Sequence, residues 1–158
     1  MFLFDEKPGV RLARGVCREL MDMGLSPLTE FPTKAGLRMD ICALDMGGEV
    51  WCIEVKSSRA DFQSDHKWQG YLDWCDRFFF AVPEGFPDEL LPLEHGLIRA
   101  DAYGAEILRP APSAPLNAAR RKTITLRYAR LAAQRLAQAS DGASPAMSGQ
   151  SASPETAT

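Results

Sequence analysis

The sequence predicts an α/β domain whose mixed sheet is flanked by helices. A helix-period stretch precedes two strand-like runs joined by glycines. A second helical stretch then leads into the continuous apolar run Arg77-Phe78-Phe79-Phe80-Ala81-Val82, which suits a buried central strand. A strand–helix–strand crossover of this kind makes its two strands parallel. The 158 residues, 46% hydrophobic and 25% charged, suffice for one domain with a core of ordinary size.

The elements follow in order. Over residues 11–23, Leu12, Val16, Leu20 and Met23 recur at helical spacing, and Gly24 supplies a stop. Residues 28–31 read as a short strand ended by Pro32. Residues 37–44 and 49–55 alternate as strands, with Asp45-Met46-Gly47-Gly48 as the hairpin turn. A helix is expected over residues 60–75, capped by Ser58, with Asp61 in its first turn and Trp68, Tyr71, Leu72 and Cys75 as its apolar stripe. After the strand at 77–82 come one helical turn at 87–91, short strands at 97–100 and 105–108, and a proline-punctuated linker over 109–115. A basic helix over 118–137 closes the domain. The division expected is a domain over residues 1–137 and a disordered tail over 138–158, which is poor in large apolar residues.

Composition narrows the function. No apolar run approaches the roughly 20 residues that span a bilayer. Asp5 and Glu6 arrive too early for a secretory signal, so a cytoplasmic location is expected. Cys17, Cys42, Cys52 and Cys75 lack C-x-x-C spacing and read as buried free thiols rather than zinc ligands. The net charge of −3 does not advertise a nucleic-acid binder, yet residues 117–137 hold Arg120, Arg121, Lys122, Arg127, Arg130 and Arg135 with no acid among them. Such a helix fits phosphate binding; a solvated face or a protein-partner surface explains it almost equally well.

The densest chemistry lies in Arg38-Met39-Asp40 and, on the next strand, Glu54-Val55-Lys56. Glu54 and Lys56 are two apart on a strand and share a face. Register decides whether Asp40 joins them. A two-residue turn pairs Asp40 with Ile53 and sends its carboxylate away, whereas a three-residue Met46-Gly47-Gly48 loop pairs it with Glu54. Two adjacent carboxylates repel unless a cation lies between them, and oxygen-only ligands point to Mg²⁺ or Mn²⁺. Lys56 would position a water or stabilise developing negative charge. The plainer reading is a surface salt-bridge cluster.

Asp40 followed by Glu54-Val55-Lys56, with a helix and a buried strand behind them, resembles the PD-(D/E)XK nuclease-like superfamily over residues 11–82. The runs IEVKSSRADFQSDHKWQGYLDWCDRFFFAVP, GLIRADAYGAEILRPAP and AARRKTITLRYARLAAQRL resemble the MmcB family of bacterial DNA repair proteins, from the first helix to about Leu136. The resemblance implies a restriction-endonuclease-like fold, a role in repair, and Asp40, Glu54 and Lys56 as a nuclease centre. Met39 stands where the superfamily has its signature proline. Many relatives add a glutamate from the first helix; Glu19 fits that role poorly, and Glu30 is the better third metal ligand. Lys67 and Gln69, on the helix that lines the site in related folds, become phosphate contacts, the alternative being a solvated helix face.

The function expected is a divalent-metal-dependent DNA endonuclease in repair. The alternatives are a non-catalytic DNA-binding or adaptor module and, more remotely, an RNA-directed or toxin-like nuclease. DNA and other repair proteins are the expected partners, with no membrane; a homodimer is compatible with the chain.

Overall fold

The computed structural model describes residues 6–143. Its centre is a six-stranded mixed sheet whose spatial order follows the chain: β1 (Ser26–Pro32), β2 (Arg38–Leu44), β3 (Val50–Val55), β4 (Arg77–Val82), β5 (Gly96–Ala100) and β6 (Ala105–Arg109). The β1–β2, β2–β3 and β5–β6 pairs are antiparallel, and the β3–β4 and β4–β5 pairs are parallel. The expected mixed sheet with flanking helices is what forms.

Helix α1 (Pro8–Asp22) starts earlier than its apolar period, because Pro8 stands in the first turn, where a missing N–H costs nothing. It ends in a Schellman turn: the Leu25 N–H donates to Leu20 O (2.8 Å) and Gly24 takes the left-handed conformation at φ +87°. Leu12, Val16 and Leu20 bury against Ile41, Ile53, Phe79 and Ile98 on one face of the sheet. Gly15 allows this close approach: a Cβ there would lie 1.9 Å from the Asp101 carbonyl oxygen.

The β2–β3 hairpin closes through three residues. Asp45 and Glu49 still pair (Asp45 N–H to Glu49 O, 3.1 Å), leaving Met46, Gly47 and Gly48 as the loop, with Gly48 at φ +88°. Leu44 therefore faces Val50 and Ile41 faces Ile53.

The connection from β3 to β4 differs from the single helix expected. Helix α2 spans only Arg59–Ser64, with Ser58 accepting from the Asp61 N–H as its cap. Asp65 then turns extended, and a 3₁₀ helix (Trp68–Trp74) completes the crossover. The break follows from Asp65: its carboxylate accepts from the Lys67 N–H (2.7 Å) and from Lys56 Nζ, bonds that a continuous helix could not make. The 3₁₀ period of three still brings Trp68 and Tyr71 inward, so both expected core residues are buried without a continuous helix. Trp68 meets Phe78 and Phe80 at ring separations of 5.5 and 5.1 Å on the second face of the sheet.

Helix α3 (Ala118–Ala143) runs beyond the expected end at residue 137; the rest of the expected tail, 144–158, lies outside the described residues. It lies along the edge strand β1. Arg127 donates to Pro32 O (3.1 Å), Tyr128 to Ser26 O (2.5 Å), and Arg135 to Thr29 O (2.5 Å) and Glu30 O (2.8 Å). Arg121 grips the buried Asp76 through both carboxylate oxygens, at 2.9 and 2.6 Å. Asp76 also accepts from the Val50 N–H (2.7 Å) and the Leu116 N–H (2.8 Å), joining β3, the start of β4, the linker and α3.

Candidate functional site

The β2–β3 ladder stops at Ile41–Ile53, although both strands continue past that pair. Beyond it, side chains take over the main-chain bonds. The Asp40 N–H donates to Glu54 Oε1 (3.1 Å), and the Val55 N–H donates to Asp40 Oδ2 (2.8 Å). The three-residue loop thus brings Asp40 and Glu54 across from each other. They line a cleft of about 800 Å³ between α1, the ends of β1 to β3 and the crossover, together with Lys56, Glu30, Arg38 and Tyr71.

Glu30 lies across from Asp40, between the Thr29–Ile41 and Phe31–Met39 pairs. It is the one non-glycine residue at positive φ (+51°) among the described residues. This kink lets Leu28 and Phe31, three apart, pack into the same core. The Glu30 carboxylate pairs with Arg38 Nε at 2.6 Å.

The electrostatics are those of crowded, half-dry acids. Burial, then the Asp40 charge, pushes the Glu54 carboxyl up to about 9. Burial also raises Asp40, against the lowering pull of the Val55 N–H and Lys56. Lys56 is only 5% exposed, and its Nζ lies 2.5 Å from Asp65 Oδ2. Burial works against that ammonium, but the Asp65 hydrogen bond and charge outweigh it, and the lysine is held above its ordinary value.

A hard divalent cation would relieve this pair. Asp40 and Glu54 each use one oxygen on a main-chain N–H and keep another. Among the described residues no group of three or more His, Cys, Asp and Glu converges as a metal cage. Two carboxylates suit Mg²⁺ or Mn²⁺, which retains several waters, and do not suit zinc.

The remaining sequence-derived candidates scatter. Lys67 and Gln69 are exposed beyond the cleft lining. Arg121 is occupied by Asp76 and by Gly48 O (2.9 Å), and Arg120 reaches Asp73 O (3.2 Å) while sitting 5.6 Å from the Trp74 ring centre. Lys122 is exposed. Sequence reasoning missed Asp65 as the lysine's partner, because a continuous helix would have turned it away. It also read Tyr71 as core alone. The Tyr71 hydroxyl donates to Arg38 O (2.7 Å) in the cleft wall, and burial and Glu54 raise its phenol. Asp61, in the first turn of α2 as expected, accepts from the Ser57 N–H (2.9 Å) and also lines the cleft.

Fold and site together define an α/β protein with a charged cleft where its central hairpin splays open. Residues 5–143 match the family described as DNA repair protein MmcB-like, and the chain belongs to that family. No curated protein matches it. Among solved structures the chain is similar to the SPO1766 protein of unknown function from Silicibacter pomeroyi, at 52% identity and a TM-score of 0.85, over 92% of this chain and 100% of that one. Among the described residues, no helix is long and apolar enough to cross a membrane.

Proposed function

We propose that the protein is a divalent-metal-dependent DNA endonuclease of the PD-(D/E)XK type, acting in repair. The family's name supports the repair setting. The observation that supports the chemistry is the crossed pair of Asp40 and Glu54 in the cleft, with Lys56 beside it. Asp40 and Glu54 would hold Mg²⁺ or Mn²⁺; Glu30, expected as a third ligand, lines the same cleft but is paired with Arg38 and does not converge with them as a three-acid cage. When bound, the ion polarises a phosphodiester and acidifies a water. Lys56 contributes a fixed positive charge for the phosphate oxygens, and Asp65 keeps its ammonium oriented. Tyr71 anchors the start of β2 through Arg38 O and so holds Asp40 in register.

One observation favours the second reading, a non-catalytic DNA-binding or adaptor module. The Lys56 charge is already neutralised by Asp65 within the free protein.

Mn²⁺ titration, followed by incubation with single-stranded, duplex, forked and damaged DNA, separates the two. The nuclease binds Mn²⁺, loses that binding in Asp40→Asn, and loses about 100-fold or more of its cleavage rate in Lys56→Ala. Metal-independent DNA binding without any cutting sustains the adaptor and sinks the enzyme.

A further inference from the structure

The sequence gathers its cations in α3, but the fold uses most of them internally. Arg121 is locked to Asp76, and Arg127 and Arg135 cap carbonyls of β1. Arg120 is drawn to Asp73 and Trp74. Among the described residues, only Lys122 and Arg130 of that basic run enter no hydrogen bond or ion pair.

The cleft collects cations that the sequence scatters. One face of α1 packs on the sheet, and the neighbouring one, with Lys7, Val10, Arg14 and Cys17 at three-and-four spacing, walls the cleft. Arg38, at the start of β2, lines the same space. In the free protein Arg14 pairs with Glu6 and Arg38 with Glu30. Both pairs are exposed, so each contributes little to stability and can exchange its carboxylate for a phosphate oxygen. Lys7, Arg14 and Arg38 thus place three cations around the acidic pair, within reach of a phosphate backbone that the acids alone would repel, in a chain whose net charge is −3. Val10, 47% exposed between them, offers an apolar surface to a sugar.

We infer that the DNA backbone is held in the cleft by Lys7 and Arg14, at the start and along the wall of α1, and by Arg38 at the start of β2, and not by the basic helix α3. This rests on the DNA-binding part of the proposed function, though not on catalysis. The contacts are electrostatic and position the strand without reading its sequence.

The test is fluorescence anisotropy with a labelled forked DNA across a salt series, without divalent metal. The wild-type affinity falls as salt rises. The triple variant Lys7→Ala/Arg14→Ala/Arg38→Ala flattens the log–log slope by about one unit per residue, and the charge-preserving triple Lys7→Arg/Arg14→Lys/Arg38→Lys restores most of it. The double variant Lys122→Ala/Arg130→Ala leaves the slope nearly unchanged. A slope flattened by the α3 double variant but unaffected by the alanine triple overturns the inference and leaves DNA binding intact. A wild-type protein that shows no salt-dependent DNA binding overturns the parent reading, and the inference falls with it.

Discussion

Glu54 sets the electrostatic character of the cleft. It is placed by the strand at a depth where its charged form is disfavoured, and Asp40 across the hairpin disfavours it further. Its folded carboxyl titrates at about 9, far above the ordinary value of about 4.3. Between those pH values the folded protein keeps a proton that the unfolded chain has released, so stability falls as pH rises. Metal-free thermal unfolding at pH 5 and pH 8 should therefore show a lower Tm at the higher pH. Glu54→Gln should reduce that difference and raise Tm at pH 8, whereas Asp45→Asn, at the exposed loop, should leave the trend in place. Asp65 works in the other direction. Although burial opposes it, its bond to Lys56 holds its carboxyl below the usual range, and the lysine above its own, so both partners are charged at neutral pH.

At the scale of elements, Asp76 does for the packing what Glu54 does for the cleft. It is nearly buried and satisfied by two main-chain N–H groups and a bidentate arginine. Removing it strands Arg121 and frees two buried donors, so Asp76→Ala should cost about 3–5 kcal/mol in urea unfolding. Burial raises its carboxyl but Arg121 and the N–H groups lower it more. Its contribution is therefore full above about pH 4 and is lost as pH falls further, a loss that Asp76→Asn should remove from the acid limb. The elements also mark how far the sequence could be read. Of the two turns the sequence allows, the second glycine favours the three-residue loop that sets Asp40 across from Glu54, because the positive φ at Gly48 is a local requirement that glycine advertises. The length of α2 was hidden. Residues 60–75 have helical periodicity, and only a partner nine residues back in the chain, Lys56, pulls Asp65 out of the helix.

Across the whole molecule, the sequence showed where charge was concentrated but not where it was used. A run of arginines without acids looks the same whether it meets phosphate or the carbonyls of the strand edge that α3 covers; only the tertiary placement separates them. The same limit hid the cations of the cleft, since Lys7, Arg14 and Arg38 share no stretch of sequence.

The position of α3 has a further consequence. A strand at the border of a sheet offers its carbonyls to any extended chain that comes near, including another copy of itself. On β1 that offer is taken up by Arg127, Tyr128 and Arg135. Arg127→Ala/Tyr128→Phe/Arg135→Ala should leave the Asp76–Arg121 junction intact yet reopen this border, and light scattering should then report association that grows with protein concentration. The helix that looks built to attract other molecules covers the border at which copies of this one would pair.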